Sequence, residues 1–185
     1  MNIALPKLMT IDEFVVWTQS QPNGRYELID GRPVRLPAGR VSHVKTKSQV
    51  WLALREACRT ARIPSHALID GPGVKISEGT AYEPDALVYC GAEVPDDTIF
   101  IEAPVIVVEV LSPSNRAHDA VTKLKGYFKV PSIQHYLIVD TDDRSVLHHR
   151  RTDRGVIETQ VLFAGSLLLE PPGLTLHLID IFAPA

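Results

Sequence analysis

Residues 104–111 read Pro-Val-Ile-Val-Val-Glu-Val-Leu, the most apolar run in the chain. They limit what it can fold into more than any other stretch. The run is short, rich in β-branched side chains and closed by Ser112-Pro113-Ser114-Asn115. That pattern predicts a strand buried on both faces, in the middle of a sheet covered by helices. Glu109 sits inside it. An ionised carboxylate there is costly unless it is paired or binds a metal, so a chain that keeps one has a use for it.

The flanking sequence supplies the helices and strands such a sheet needs. Thr10-Ile-Asp-Glu13 has the form of a capping box. It predicts a helix to about Gln19, with Ile11, Phe14, Val15 and Thr18 inward and a stop at Gln21-Pro-Asn-Gly24. Arg25 to Leu36 reads as a β-hairpin turning at Asp30-Gly31, where both positions tolerate positive φ. Pro33 puts its second arm at an edge. Residues 42–61 read as an amphipathic helix, with Val50, Trp51, Leu54, Ala57 and Cys58 on the helical period. Lys45, Lys47, Arg55, Arg59 and Arg62 fall mainly elsewhere, on a face expected to be solvated, with a DNA-facing helix as the alternative.

Short strands are expected at 66–69, 73–76 and 85–90, before 104–111. A helix follows over 116–129, with Ala117, Ala120, Val121, Leu124 and Phe128 on one side, and then a strand at 135–140. From Ser145 to Leu178 the pattern is antiparallel: strands at 146–150, 156–163, 167–170 and 174–178, with a turn at 164–166. The order predicts one α/β domain over 1–185. It has a central mixed β-sheet flanked by helices, a strand–helix–strand unit at the centre and a β-rich C-terminal part.

The length of 185 residues fits one domain with a sizeable core. No apolar stretch reaches the roughly 20 residues a membrane span needs. Residues 1–9 lack the charged start, apolar middle and cleavage site of a signal peptide. A cytoplasmic protein with no membrane partner is expected. Cys58 and Cys90 have no CxxC spacing and are expected as buried thiols. The net charge of −3 argues against coating nucleic acid by charge alone. It leaves a nuclease open, because a local basic surface and bound cations offset phosphate charge.

Alternation places Val105, Val107, Glu109 and Leu111 on one face of their strand, and Asp85, Leu87 and Tyr89 on one face of the strand before it. Pro84 marks that strand's start. If the two strands pair, Asp85 and Glu109 converge near one end of the sheet. Close carboxylates repel, and one has its pKa raised unless a cation sits between them. A hard divalent cation with oxygen ligands, Mg²⁺ or Mn²⁺, removes that cost. Pairing of Glu109 with a buried Arg or Lys is the alternative. Lys123 follows on the next helix, four residues after Asp119. It either makes an ordinary helical pair with Asp119 or projects over the strand ends toward the carboxylates. A cation there could orient a water or stabilise charge on a phosphate.

Five segments together resemble the Uma-two family of restriction endonucleases, within the PD-(D/E)XK nuclease superfamily. They are Tyr26-Glu-Leu-Ile-Asp-Gly31, Pro84-Asp85, Val108-Glu-Val-Leu-Ser-Pro113, Asp119 with Lys123 and Tyr127, and Val130-Pro-Ser-Ile-Gln-His-Tyr-Leu-Ile-Val-Asp140. The resemblance runs from about Met9 to Asp180. It implies a restriction-endonuclease-like core and a Mg²⁺- or Mn²⁺-dependent endodeoxyribonuclease acting on DNA. By it, Asp85 and Glu109 would be the metal-binding acids, Lys123 the catalytic cation and Glu27 a further acid at the site. In the superfamily the lysine lies two residues after the strand glutamate. Here that slot is Leu111, a departure the family shares, its lysine having moved to the helix.

Glu27, next to Arg25 in the hairpin, also reads as half of a structural ion pair. His43 lies where the family often has histidine and is expected as a surface or capping residue. His148 and His149 point to opposite faces of one strand and receive no role. Asp140 reads as a turn residue. A rival from another class is a non-catalytic nucleic-acid-binding or assembly module on the same fold, with the carboxylates as a structural network. The acidic net charge and Leu111 favour the module; Asp85, Glu109 and Lys123 favour the enzyme. Cutting both strands of a duplex favours a homodimer, for which the β-rich C-terminal half is the candidate interface.

Overall fold

The computed structural model describes residues 8–21, 24–111 and 118–182, with the backbone alone over 118–121. α1 (Ile11–Gln19) opens on the capping box: Glu13 N donates to Thr10 Oγ1 at 3.3 Å and Thr10 N to Glu13 Oε2 at 3.0 Å. β1 (Tyr26–Ile29) and β2 (Arg32–Arg35) form the hairpin, with Asp30 and Gly31 at φ 48° and 74°. Only a turn of that hand matches the twist of the two strands. α2 (Val41–Ala61) is followed by β3 (Ser65–Ile69), β4 (Val74–Ser77), β5 (Thr80–Tyr82), β6 (Ala86–Cys90) and β7 (Pro104–Val110). Then come α3 (His118–Tyr127), β8 (His135–Asp140), β9 (Ser145–Arg151), β10 (Ile157–Leu162), β11 (Ser166–Leu169), β12 (Leu174–His177) and α4 (Leu178–Ile181).

β5 and α4 carry no signal in the sequence: three residues and one turn are too short to show a period. Pro22-Asn23, the turn at 112–115 and the predicted helix start at 116–117 lie outside the described residues.

The central sheet has six strands in the order β10-β9-β8-β7-β6-β3. Only β7 and β8 run parallel, because α3 carries the chain back across the sheet between them. Two smaller sheets, β2-β1-β5-β4 and β11-β12, accompany it. The fold is the expected α/β class with a central mixed sheet. The difference is that the N-terminal hairpin builds its own sheet with β4 and β5.

One face of the central sheet packs Ala86, Val88, Ile106 and Val108 against Val50, Leu54 and Ala57 of α2 and against the β11–β12 hairpin. The other face packs Leu87, Val107, Tyr136 and Ile138 against Tyr127 and Ile133. β7 is therefore covered on both sides, as its composition requires. Its alternation is broken once. The pairing with β6 shifts between Val88 and Tyr89, so Val105 joins the α2 side, not the face of Val107 and Glu109 expected for it. A third core ties α1 to the small sheet through Ile11, Phe14, Leu28 and Ala81.

Cys58 is buried, but Cys90, expected buried, is exposed at the end of β6. Asp140 does serve a turn, its Oδ1 accepting Asp142 N at 2.9 Å. His148 and His149 do face opposite ways, and His148 has a structural partner. His135 Nε2 donates to the Pro171 carbonyl at 2.8 Å, so its Nδ1 accepts from His148 Nε2 at 2.8 Å; His148 Nδ1 in turn accepts from Gln160 at 2.9 Å. Burial lowers the two imidazoles to about 4 and about 3. Both stay neutral, in the one tautomer that ties the β11–β12 turn to the central sheet. No helix among the described residues is long and apolar enough to cross a membrane.

Candidate active site

Antiparallel pairing of Ala86 with Val108 carries one step further to set Asp85 opposite Glu109. Val110 N donates to Asp85 Oδ2 at 2.7 Å and fixes that carboxylate against the end of β7. Glu109 has a side chain only 13% exposed. Its Oε1 accepts from Lys123 Nζ at 2.9 Å and from Tyr127 Oη at 2.7 Å. These donors lie four residues apart on α3 and so share one helix face. Lys123 Nζ also reaches Glu27 Oε1 on β1 at 2.9 Å, an oxygen that further accepts Glu83 N at 2.9 Å. The ammonium lies 5.6 Å from the centre of the Tyr82 ring, within cation–π range. α3 comes this close because Gly126 has no side chain: a Cβ there would lie 2.5 Å from Tyr82 Cε2.

Glu27, Asp85, Glu109 and Lys123 thus line one cleft of about 460 Å³. The structure also corrects three expectations. Lys47 does not lie on a solvated face: it is 7% exposed, with Nζ 2.5 Å from Asp85 Oδ1 and 3.0 Å from Asp70 Oδ1. His43 is neither a surface nor a capping residue. Its Nε2 is 3.9 Å from Asp85 Oδ2, and its buried Nδ1 has no hydrogen-bond partner among the described residues. The helical period held the signal for both, because 43, 47, 50 and 54 fall on one stripe of α2. Arg25, two residues before Glu27, instead pairs with Glu83 and with Asp70, the latter at 3.0 Å. The side chain of Asp119 lies outside the described residues.

Burial raises the Glu109 carboxyl to about 8; Asp85 and Glu27 add to the rise, and Lys123 and Tyr127 oppose it. Burial would lower Lys123, but the Glu109 and Glu27 carboxylates outweigh it and hold the ammonium well above its ordinary value. Lys47 is raised in the same way by Asp85 and Asp70 against its own burial. His43 is lowered by burial, with Lys47 and Arg25 adding to the effect and Asp85 and Asp70 opposing it. Its ring is therefore held toward the neutral form.

The innermost groups are short of positive charge. Three carboxylates, Glu27, Asp85 and Glu109, share two ammonium groups. Glu109 Oε2 has no hydrogen-bond partner among the described residues, and Glu109 lines the cleft. An all-oxygen donor set, with one carboxyl raised chiefly by burial and further by Asp85 and Glu27, fits a hard divalent cation. Among the described residues no group of three or more His, Cys, Asp or Glu side chains is placed to hold a metal ion.

Residues 11–180 match the model of the Uma2 family, described as "Putative restriction endonuclease". The uncharacterized protein slr1290 of Synechocystis sp. is 29% identical over 152 residues, covering 80% of this chain and 77% of its own. Among solved structures, the crystal structure of "a putative nuclease belonging to DUF820" from Anabaena variabilis superposes with a TM-score of 0.73. It covers 95% of this chain and 98% of its own at 22% identity, a likeness of fold.

Proposed function

The chain belongs to the Uma2 family, and from that premise we propose that it is a Mg²⁺- or Mn²⁺-dependent endonuclease that hydrolyses DNA phosphodiesters. The observation that carries this reading is the meeting of Asp85 and Glu109 from adjacent strands beneath Lys123, in an open cleft. Asp85 and Glu109 are the residues that would hold the cation. Such an ion supplies Lewis acidity to a phosphoryl oxygen and lowers the pKa of water.

The protein's own groups do the rest. Lys123 keeps a fixed positive charge at the cleft floor, where it orients the attacking water or offsets charge on the pentacovalent phosphorus. Glu27 acts through Lys123 as a positioning residue, since its Oε1 and that of Glu109 both hold the ammonium at 2.9 Å. Tyr127 orients the Glu109 carboxylate. Arg25, Arg35 and Arg40 line the same cleft and suit the phosphates of a nucleic-acid strand. No covalent protein intermediate is needed. Two copies would supply one site per strand of a duplex.

The test is Mn²⁺ calorimetry together with plasmid cleavage. Asp85→Asn and Glu109→Gln are expected to lose both, and Lys123→Met to lose cleavage while still binding Mn²⁺. Equal cleavage by wild type and all three variants rejects this site. One observation favours the rival reading, a non-catalytic module: Lys47 and Lys123 already neutralise much of the carboxylate charge. Absence of Mn²⁺ binding near neutral pH in the wild type supports that module.

A further inference from the structure

The central sheet has two edges, and they are treated differently. At one, α2 lies along β3, and Trp51 Nε1 donates to the Ala67 carbonyl at 3.0 Å. The other edge is β10, and nothing comparable among the described residues covers it. It pairs with β9 without a bulge through six successive residues. No other backbone hydrogen bond among the described residues reaches residues 157–162. β10 contains no Pro or Lys, the usual devices that keep an edge from pairing. Its residues 158–161 are exposed on both faces. Large apolar side chains stand exposed along it, Val156 at 56%, Val161 at 51% and Phe163 at 66%, and Leu168 of β11, at 60%, lies by Glu158, Thr159 and Gln160.

From this edge we propose that β10 is the interface with a second copy of the same chain, which joins by antiparallel edge-to-edge pairing about a two-fold axis through Gln160. The strand is complementary to itself in that register. Ile157 stands opposite the copy's Phe163, and Thr159 opposite its Val161, so one face of the seam is a row of apolar and β-branched side chains. On the other face Glu158 stands opposite the copy's Leu162. Glu158 is the only charged residue of β10 and is already paired with Arg150 of its own chain at 2.7 Å. No like charges therefore face each other across the seam. Self-complementarity and the absence of repulsion select a second copy over an unrelated strand. The main-chain groups left open on β10 would close a continuous ladder of both central sheets. The inference rests on the sheet edge and is independent of the hydrolytic reading.

Three measurements test it. Light scattering at micromolar concentration is expected to give a dimer for wild type. Val161→Lys puts a charge into the seam and is expected to give a monomer that keeps the wild-type circular dichroism spectrum. In a Cys90→Ser background, Gln160→Cys is expected to cross-link under oxidising conditions, because directly opposed residues lie within disulfide reach. A monomeric wild type overturns the proposal. So does a dimer that survives Val161→Lys, or one in which Gln160→Cys fails to cross-link.

Discussion

At the scale of single residues, the site is governed by carboxylates that outnumber their nearby cations. Glu109 is raised to about 8 from an ordinary 4.5 by its burial first, with Asp85 and Glu27 adding to the rise. Between those two values the native chain holds a proton that the unfolded chain has released. The Glu109 contribution to stability therefore falls as pH rises through that window. Thermal melts are expected to show a fall for wild type and a smaller one for Glu109→Gln. A divalent cation competes with the same proton, so Mn²⁺ affinity is expected to rise across the same range.

Lys47 makes the complementary case. Its side chain and that of Asp85 are 9% and 11% exposed, so Lys47→Met leaves a nearly buried carboxylate without its partner. The expected loss is about 3 kcal/mol in urea melts. A divalent cation can replace the missing charge. Added Mn²⁺ should therefore raise the melting temperature of Lys47→Met more than that of wild type; equal shifts would show that the ion does not reach Asp85.

Among the elements, α3 decides where Lys123 stands, and Gly126 decides where α3 stands. Gly126→Ala adds helix propensity worth about 1 kcal/mol. The new Cβ meets the Tyr82 ring, which is 4% exposed and packed edge-on against Tyr127 at 5.3 Å. Overpacking of this kind costs about 1–3 kcal/mol. A net loss of stability of about 1 kcal/mol is expected, with a fall in cleavage rate as Lys123 is displaced. Chemical denaturation of both chains, run beside plasmid cleavage, measures the two effects. The elements themselves were largely legible. The capping box, the Asp30-Gly31 turn, the apolar run at 104–111 and the stripe of α2 are local patterns, and each became the expected element. β5 and α4 were not legible, because their stability comes from neighbours rather than from their own period.

For the whole molecule, net charge and fold class were readable from composition and from the order of elements, and so was the parallel β7–β8 pair that a strand–helix–strand unit requires. The position of Asp85 beside Glu109 followed from alternation once the two strands were taken to pair. That Lys123 reaches the carboxylates was one of two readings of the sequence, and Glu27 entered the site by family resemblance; Lys47 as the second cation did not follow from the sequence. Lys47 approaches from α2, Lys123 from α3 and Glu27 from β1, elements far apart in the chain. Their meeting depends on how the small sheet and two helices close around one end of the central sheet. Side-chain periodicity and capping act over a few residues and can be read along the chain. Ion pairing in a cleft is set by distances across it, which exist only once the layers have packed.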